Sequence, residues 1–211
     1  MKIKLQIIFA LLSILTIFNS YAQKRKGKIT LIEEKKSLSF DGYVKIMANG
    51  NILFRETKRE SGKEFKKDFI KRIEIYEGKQ SGNYEFFKNP EDEKERILLI
   101  ELAAGNITLF SQTSYGGGSP SFYSLGEPST FSGTLGGSYM IIDYFVKEKT
   151  DSDIEYLTTF TGHKRTKRFF IEMLARFFSD CSDLKQKIKA LEFEYDLTKI
   201  VNYYNNNCKK D

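Results

Sequence analysis

The hydrophobic period of this chain changes once, near residue 161, and that change restricts the folds open to it. From residue 29 to about residue 160 the apolar residues come in short runs rich in Ile, Val, Phe and Tyr, broken by Gly and Asn. Short runs of that composition are strands, whose successive side chains point to opposite faces of a sheet. From residue 161 the apolar positions recur every three or four residues, the spacing that lines one side of an α-helix. A run of strands followed by a run of helices is an α+β arrangement.

Two hairpins are explicit. Residues 43–48 and 52–56 flank Asn49-Gly50-Asn51, and residues 97–103 and 107–112 flank Ala104-Gly105-Asn106. Gly and Asn accept the positive φ of tight hairpin turns. Residues 69–76 alternate through Ile73, Glu74 and Ile75, residues 84–88 form a short aromatic strand, and residues 139–147 and 155–160 add two more. The expectation is an antiparallel β-meander of about seven strands, curled into a sandwich or a half-open barrel.

The helical part begins with residues 164–178, where Phe169, Phe170, Met173, Leu174, Phe177 and Phe178 make one broad stripe that must be buried. Ser182 suits the N-cap of a second helix carrying Leu184, Ile188 and Leu191. Asp196 suits that of a third, through Leu197, Ile200, Val201 and Tyr204. Helices this short are not stable in isolation, so all three should pack on the sheet. The division is therefore residues 1–22 as a leader, 23–160 as a β-rich body and 161–211 as a helical cap, body and cap forming one compact unit.

The leader reads as a signal peptide: Lys2 and Lys4, an apolar run over residues 7–18, then Ser20-Tyr21-Ala22 before a cut at Gln23. The run is shorter than the roughly 20 residues that cross a bilayer, so no transmembrane span is expected after cleavage. No cysteine near the cut could accept a lipid. The expected address is outside the cytoplasm, in the periplasm, on the outer-membrane surface or in the medium. Without Lys2 and Lys4 the chain keeps 32 basic residues against 28 acidic ones. That mild excess lacks the concentrated basic face of a nucleic-acid binder. The partner expected is an envelope component: protein, lipid or polysaccharide. Residues 24–28, though basic, read as a solvated terminus.

The two cysteines, Cys181 and Cys208, are expected to form a structural disulfide, since an exported chain meets oxidising conditions and no Cys-x-x-Cys redox motif is present. Two candidate binding features stand out. The Gly/Ser-rich insertion over residues 115–138 carries Tyr115, Phe122, Tyr123 and Phe131, and long loops of this kind inside compact domains are often functional. Lys164, Arg165, Lys167 and Arg168 crowd a helix start, where the dipole disfavours positive charge, and make a candidate patch for an anionic partner.

Catalytic signatures are missing. The single histidine, His163, reads as a solvated helix-start residue and cannot build a histidine metal cluster, and no Gly-x-Ser-x-Gly elbow is present. Gly116-Gly117-Gly118 leads to Ser119-Pro120 and not to the Lys of a phosphate-binding loop, so neither nucleotide nor other cofactor is expected. The acidic run 91–93 lacks the alternating ligands of a calcium loop, and no metal is expected. Strands can still bring distant carboxylates together, with Glu85, Glu101, Asp143 and Glu155 as candidates. A non-catalytic binding module is therefore the leading expectation, and a hydrolase of envelope polymers or glycans the alternative.

The leader ending Ala22-Gln23, the β-rich body, Phe178-Ser179-Asp180-Cys181-Ser182-Asp183-Leu184 and the closing Val201-Asn202-Tyr203-Tyr204-Asn205 with Cys208 occur in that order. This order resembles a broad group of exported, β-rich proteins of the Bacteroidota for which no activity is established. The similarity lies mainly in the C-terminal helical region and does not include the Gly-rich insertion. It implies an envelope address and the strands-then-helices layout, and it carries over no catalytic residue.

Overall fold

The computed structural model describes residues 25–32, 37–47, 49–78, 81–90, 92, 94–115, 140–151, 153–161 and 164–208. The leader, His163 and the insertion residues Phe122, Tyr123 and Phe131 lie outside the described residues.

Among the described residues, ten strands form one antiparallel sheet. They are β1 (Arg25–Leu31), β2 (Ser39–Ile46), β3 (Ile52–Arg55), β4 (Lys63–Phe65), β5 (Ile70–Ile75), β6 (Gly82–Lys88), β7 (Arg96–Ala103), β8 (Ile107–Tyr115), β9 (Met140–Glu148) and β10 (Glu155–Phe160). Their order across the sheet is β10-β9-β8-β7-β6-β5-β1-β2-β3-β4. Helices α1 (Lys164–Phe177), α2 (Ser182–Lys189) and α3 (Leu197–Asn207) follow. This is the expected α+β layout, with both expected hairpins present as β2–β3 and β7–β8.

The strand count exceeds the expected seven or so: all eight segments read as strands are present, and β1 and β4 come in addition. β1 occupies the basic segment read as a solvated terminus, yet it pairs with β2 on one side and β5 on the other. Alternation explains the misreading. Gly27 and Ile29 turn to the buried face while Lys26 and Lys28 occupy the other, so the charges are compatible with an interior strand. Gly27 is required there, because a Cβ would sit 2.3 Å from the Glu74 carbonyl oxygen of β5. β4 is only three residues long, too short for a period to register.

Three apolar clusters stabilise the sheet. Ile29, Val44, Ile52, Phe54, Ile73, Tyr84, Phe86 and Leu98 belong to one that β1–β3 and β5–β7 build from their own side chains. A second lies between the helices and β8–β10, where Leu109, Tyr144 and Val146 meet Phe170, Leu174, Phe178, Ile188, Ile200 and Val201. Leu102 packs against both. On the opposite face, Phe87, Leu99, Phe110 and Phe145 form a small third cluster, with Phe87 and Phe110 edge to face at 4.9 Å.

Arg96 closes the first region. Its guanidinium donates to the carbonyls of Lys67, Asp68, Ile70 and Phe86 at 2.7 to 3.1 Å, tying the 3-10 turn Lys67–Phe69 to the start of β7. The planar fork of five donors can serve several carbonyls at once, which an ammonium at one point cannot. Burial lowers the Arg96 pKa, while the charges of Asp68 and Glu85 act in the opposite direction.

The helices bury a narrower stripe than expected. Phe170, Leu174 and Phe178 are buried, but Phe169 is 61 % exposed and points away from the sheet. The N-cap of α2 is Cys181, not Ser182, and it makes no side-chain capping bond. Its sulfur is instead joined to Cys208 at the end of α3, with Cα atoms 5.7 Å apart. Asp196 does cap α3, its carboxylate accepting from the Lys199 N–H at 3.1 Å. A covalent link across this separation restricts the unfolded chain by roughly 3–4 kcal/mol in the loop-entropy account.

Candidate functional site

The cleft of interest lies where the β9–β10 hairpin meets the helical cap, and it depends on how α3 is fixed to the sheet. β8 begins at Ile107, immediately after the turn that contains Gly105. The Asn205 side chain of α3 pairs with that residue as a neighbouring strand would. Its amide donates to the Ile107 carbonyl at 2.8 Å, and its carbonyl accepts the Ile107 N–H at 2.9 Å. Gly105 makes this approach possible, since a Cβ would lie 2.3 Å from the Asn205 side-chain nitrogen. Tyr204 is thereby held over the strand ends, and its hydroxyl donates to Asp180 just after α1.

Between these anchors lies a cavity of about 510 Å³ lined by Ile107, Val146, Ile154 and Phe177, by Tyr204, and by the carboxylates of Glu148, Asp151, Asp153, Glu155 and Asp180. The strand register explains the composition. Val146 lies opposite Glu155, and Glu148 opposite Ile107, so the hairpin presents apolar residues low and acidic residues at its tip. All five carboxylates are exposed, so they form a rim and not a buried pair. Burial, the hydrogen bond to Asp180, and the charges of Asp180 and Glu148 raise the Tyr204 pKa well above the usual phenol range, so it is a neutral donor at physiological pH. Among the described residues the lining contains no Lys, Arg, His or thiol. The arrangement suits a positively charged ligand with an apolar part; it presents no nucleophile–base pair.

The sequence candidates are dispersed. Of the four strand carboxylates, Glu155 alone lines the cleft. Glu85, Glu101 and Asp143 alternate onto the opposite face with Phe87, Leu99 and Phe145. There Glu101 accepts from Arg72 at 3.4 Å and Asn83 at 3.3 Å, and Asp143 accepts from Thr159. In the basic patch, the Lys167 ammonium lies 4.6 Å from the centre of the Tyr195 ring, and Arg168 pairs with Glu172 at 2.9 Å. The side chains of Lys164 and Arg165 lie outside the described residues, as does that of Tyr115, whose backbone ends β8. Among the described residues no group of His, Cys, Asp or Glu is arranged to hold a metal ion. No helix there is long and apolar enough to cross a membrane.

The cleft was not anticipated. A sequence signal existed in the spacing Glu148, Asp151, Asp153, Glu155, but nothing local showed that Asp180 and Tyr204 would join it. In comparisons with known proteins, no family model, no curated protein and no solved structure matches this chain.

Proposed function

We propose that this chain is a non-catalytic binding module of the bacterial envelope, and that its cleft takes a positively charged, partly apolar segment such as the Lys- or Arg-bearing part of a peptide or a polyamine. The observation that carries this reading is the 510 Å³ cavity, with an apolar floor and only carboxylates as charged lining groups. An ammonium or guanidinium held by several exposed carboxylates gains from each, and the gain weakens as salt screens them. The disulfide and the signal-like leader support an address beyond the cytoplasm.

Calorimetric titration of the chain from Gln23 onward with spermidine, at low and high salt, tests the reading. Binding should weaken with salt and fall about tenfold in a variant combining Asp151→Asn, Asp153→Asn and Glu155→Gln, a loss typical of two or three rim charges. Equal binding by this variant, or none by the parent, sinks the proposal. Turnover of a glycan or ester that vanishes with Glu155→Gln would replace it with the hydrolase reading.

A further inference from the structure

Two lining groups of the cleft sit beside the half-cystines. Asp180 immediately precedes Cys181. Tyr204 lies one helical turn before Cys208, whose N–H donates to the Tyr204 carbonyl at 3.0 Å. This junction is also held by the hydrogen bonds of Tyr204 with Asp180 and Tyr203 with Asp183, the Phe178–Tyr204 ring contact at 5.0 Å, the Lys187 ammonium 5.9 Å from the Tyr203 ring centre, and the apolar cluster that Phe178, Leu184, Ile188, Ile200 and Val201 share. Between α2 and α3 the chain runs through turns in which Leu191 and Glu194 adopt φ of 60° and 54°. The two half-cystine residues also differ in exposure: Cys208 is 8 % exposed, whereas Cys181 is half-buried.

We propose that the Cys181–Cys208 bond is a redox latch on the cleft, closing the wall formed by Asp180 and Tyr204 when oxidised and releasing it when reduced. The inference rests on the cleft being the binding site. A thiolate of a dithiol reductant attacks Sγ of Cys181, the more exposed residue of the pair, and the S–S electron pair leaves on Cys208 Sγ as a thiolate, which takes up a proton. The second thiol of the reductant then displaces Cys181. The products are two cysteine thiols and the oxidised, disulfide form of the reductant. The apolar cluster of β1–β3 and β5–β7 contains none of the junction residues, so the opening is local.

Hydrogen exchange on the chain from Gln23 onward, oxidised and after dithiothreitol, tests the latch. Amides of residues 178–184 and 203–208 should exchange on the order of a hundredfold faster when reduced, while β1 to β6 keep their rates. The paired substitution Cys181→Ser with Cys208→Ser should reproduce the reduced pattern, and spermidine affinity should fall in step. A uniform rise across β1 to β6 would make the bond an ordinary stabilising link and overturn the latch, as would unchanged exchange on reduction. Local opening in a chain that never binds spermidine would instead refute the binding reading and leave the latch on this wall standing.

Discussion

The two halves of this molecule are built to the same sheet pattern but closed by different means. In the first, β1–β3 and β5–β7 make a core from sheet residues alone, and one guanidinium, that of Arg96, gathers the carbonyls at its open end. In the second, β8–β10 cannot cover their own apolar face. They borrow α1 to α3, which are tied by a disulfide and by Asn205 acting as a substitute strand. A sheet that packs its own side chains together leaves little space, whereas a sheet covered by a separate layer leaves a seam. The cleft lies in that seam.

If the halves are as distinct as this suggests, Leu174→Ala should damage only the second. Leu174 is fully buried among the helices, and removing its side chain should cost about 2–5 kcal/mol. Urea unfolding followed by hydrogen exchange should show the loss in α1 to α3, with β1 to β6 retaining protection; equal loss in both halves would break the distinction. The converse is Arg96→Met, which keeps the apolar stem and removes the guanidinium from four carbonyls, of which that of Lys67 still accepts from the Ile70 N–H. It should destabilise the first half by about 2–3 kcal/mol and spare the cap. Unequal access of water to those carbonyls after mutation would show as a smaller value.

A third comparison separates the halves by pH. Burial raises the pKa of Tyr84 in the first core and Tyr144 in the second to about 12 each. A phenol whose folded pKa lies above its unfolded value of 10.0 stabilises fully below pH 10, and that contribution is lost as pH climbs toward 12. Each should contribute a loss of about 1.4 kcal/mol per unit over that window. Tyr84→Phe should flatten the alkaline decline in the β1–β7 region, and Tyr144→Phe that in the cap. A decline unchanged by either would assign it to other groups.

The fold was more legible than the site. Apolar runs such as those of β7 and β9, and the Gly and Asn between hairpin strands, announced themselves because neighbouring residues in sequence determine them. β1 did not, because its lysines dominate a reading by composition while only Gly27 and Ile29 face inward. The disulfide followed from there being only two cysteines, a matter of counting. The cleft depends on which side chains a hairpin, a helix end and an inter-helix turn bring together. Asn205 looked like one more polar residue near a C-terminus, and its role as a strand's partner appears only when α3 lies against Ile107. Phe169 shows the converse: the helical stripe was real, but its width depended on which of its residues the sheet covers, and Phe169 is left exposed.

The central place of β1 sets an order of events during synthesis. The chain emerges N-terminus first, so β1 can pair early with β2, but its other neighbour, β5, leaves the ribosome some 40 residues after it. Until then one flank of β1 offers unsatisfied N–H and C=O groups to any strand nearby, including the same strand of a second nascent chain. Gly27 fits closely against the β5 backbone and adds no bulk to obstruct such a rival. Lys26 and Lys28, misread as a frayed arm, then act in time as well as in space: like charges make two copies of this edge repel one another while it waits for β5.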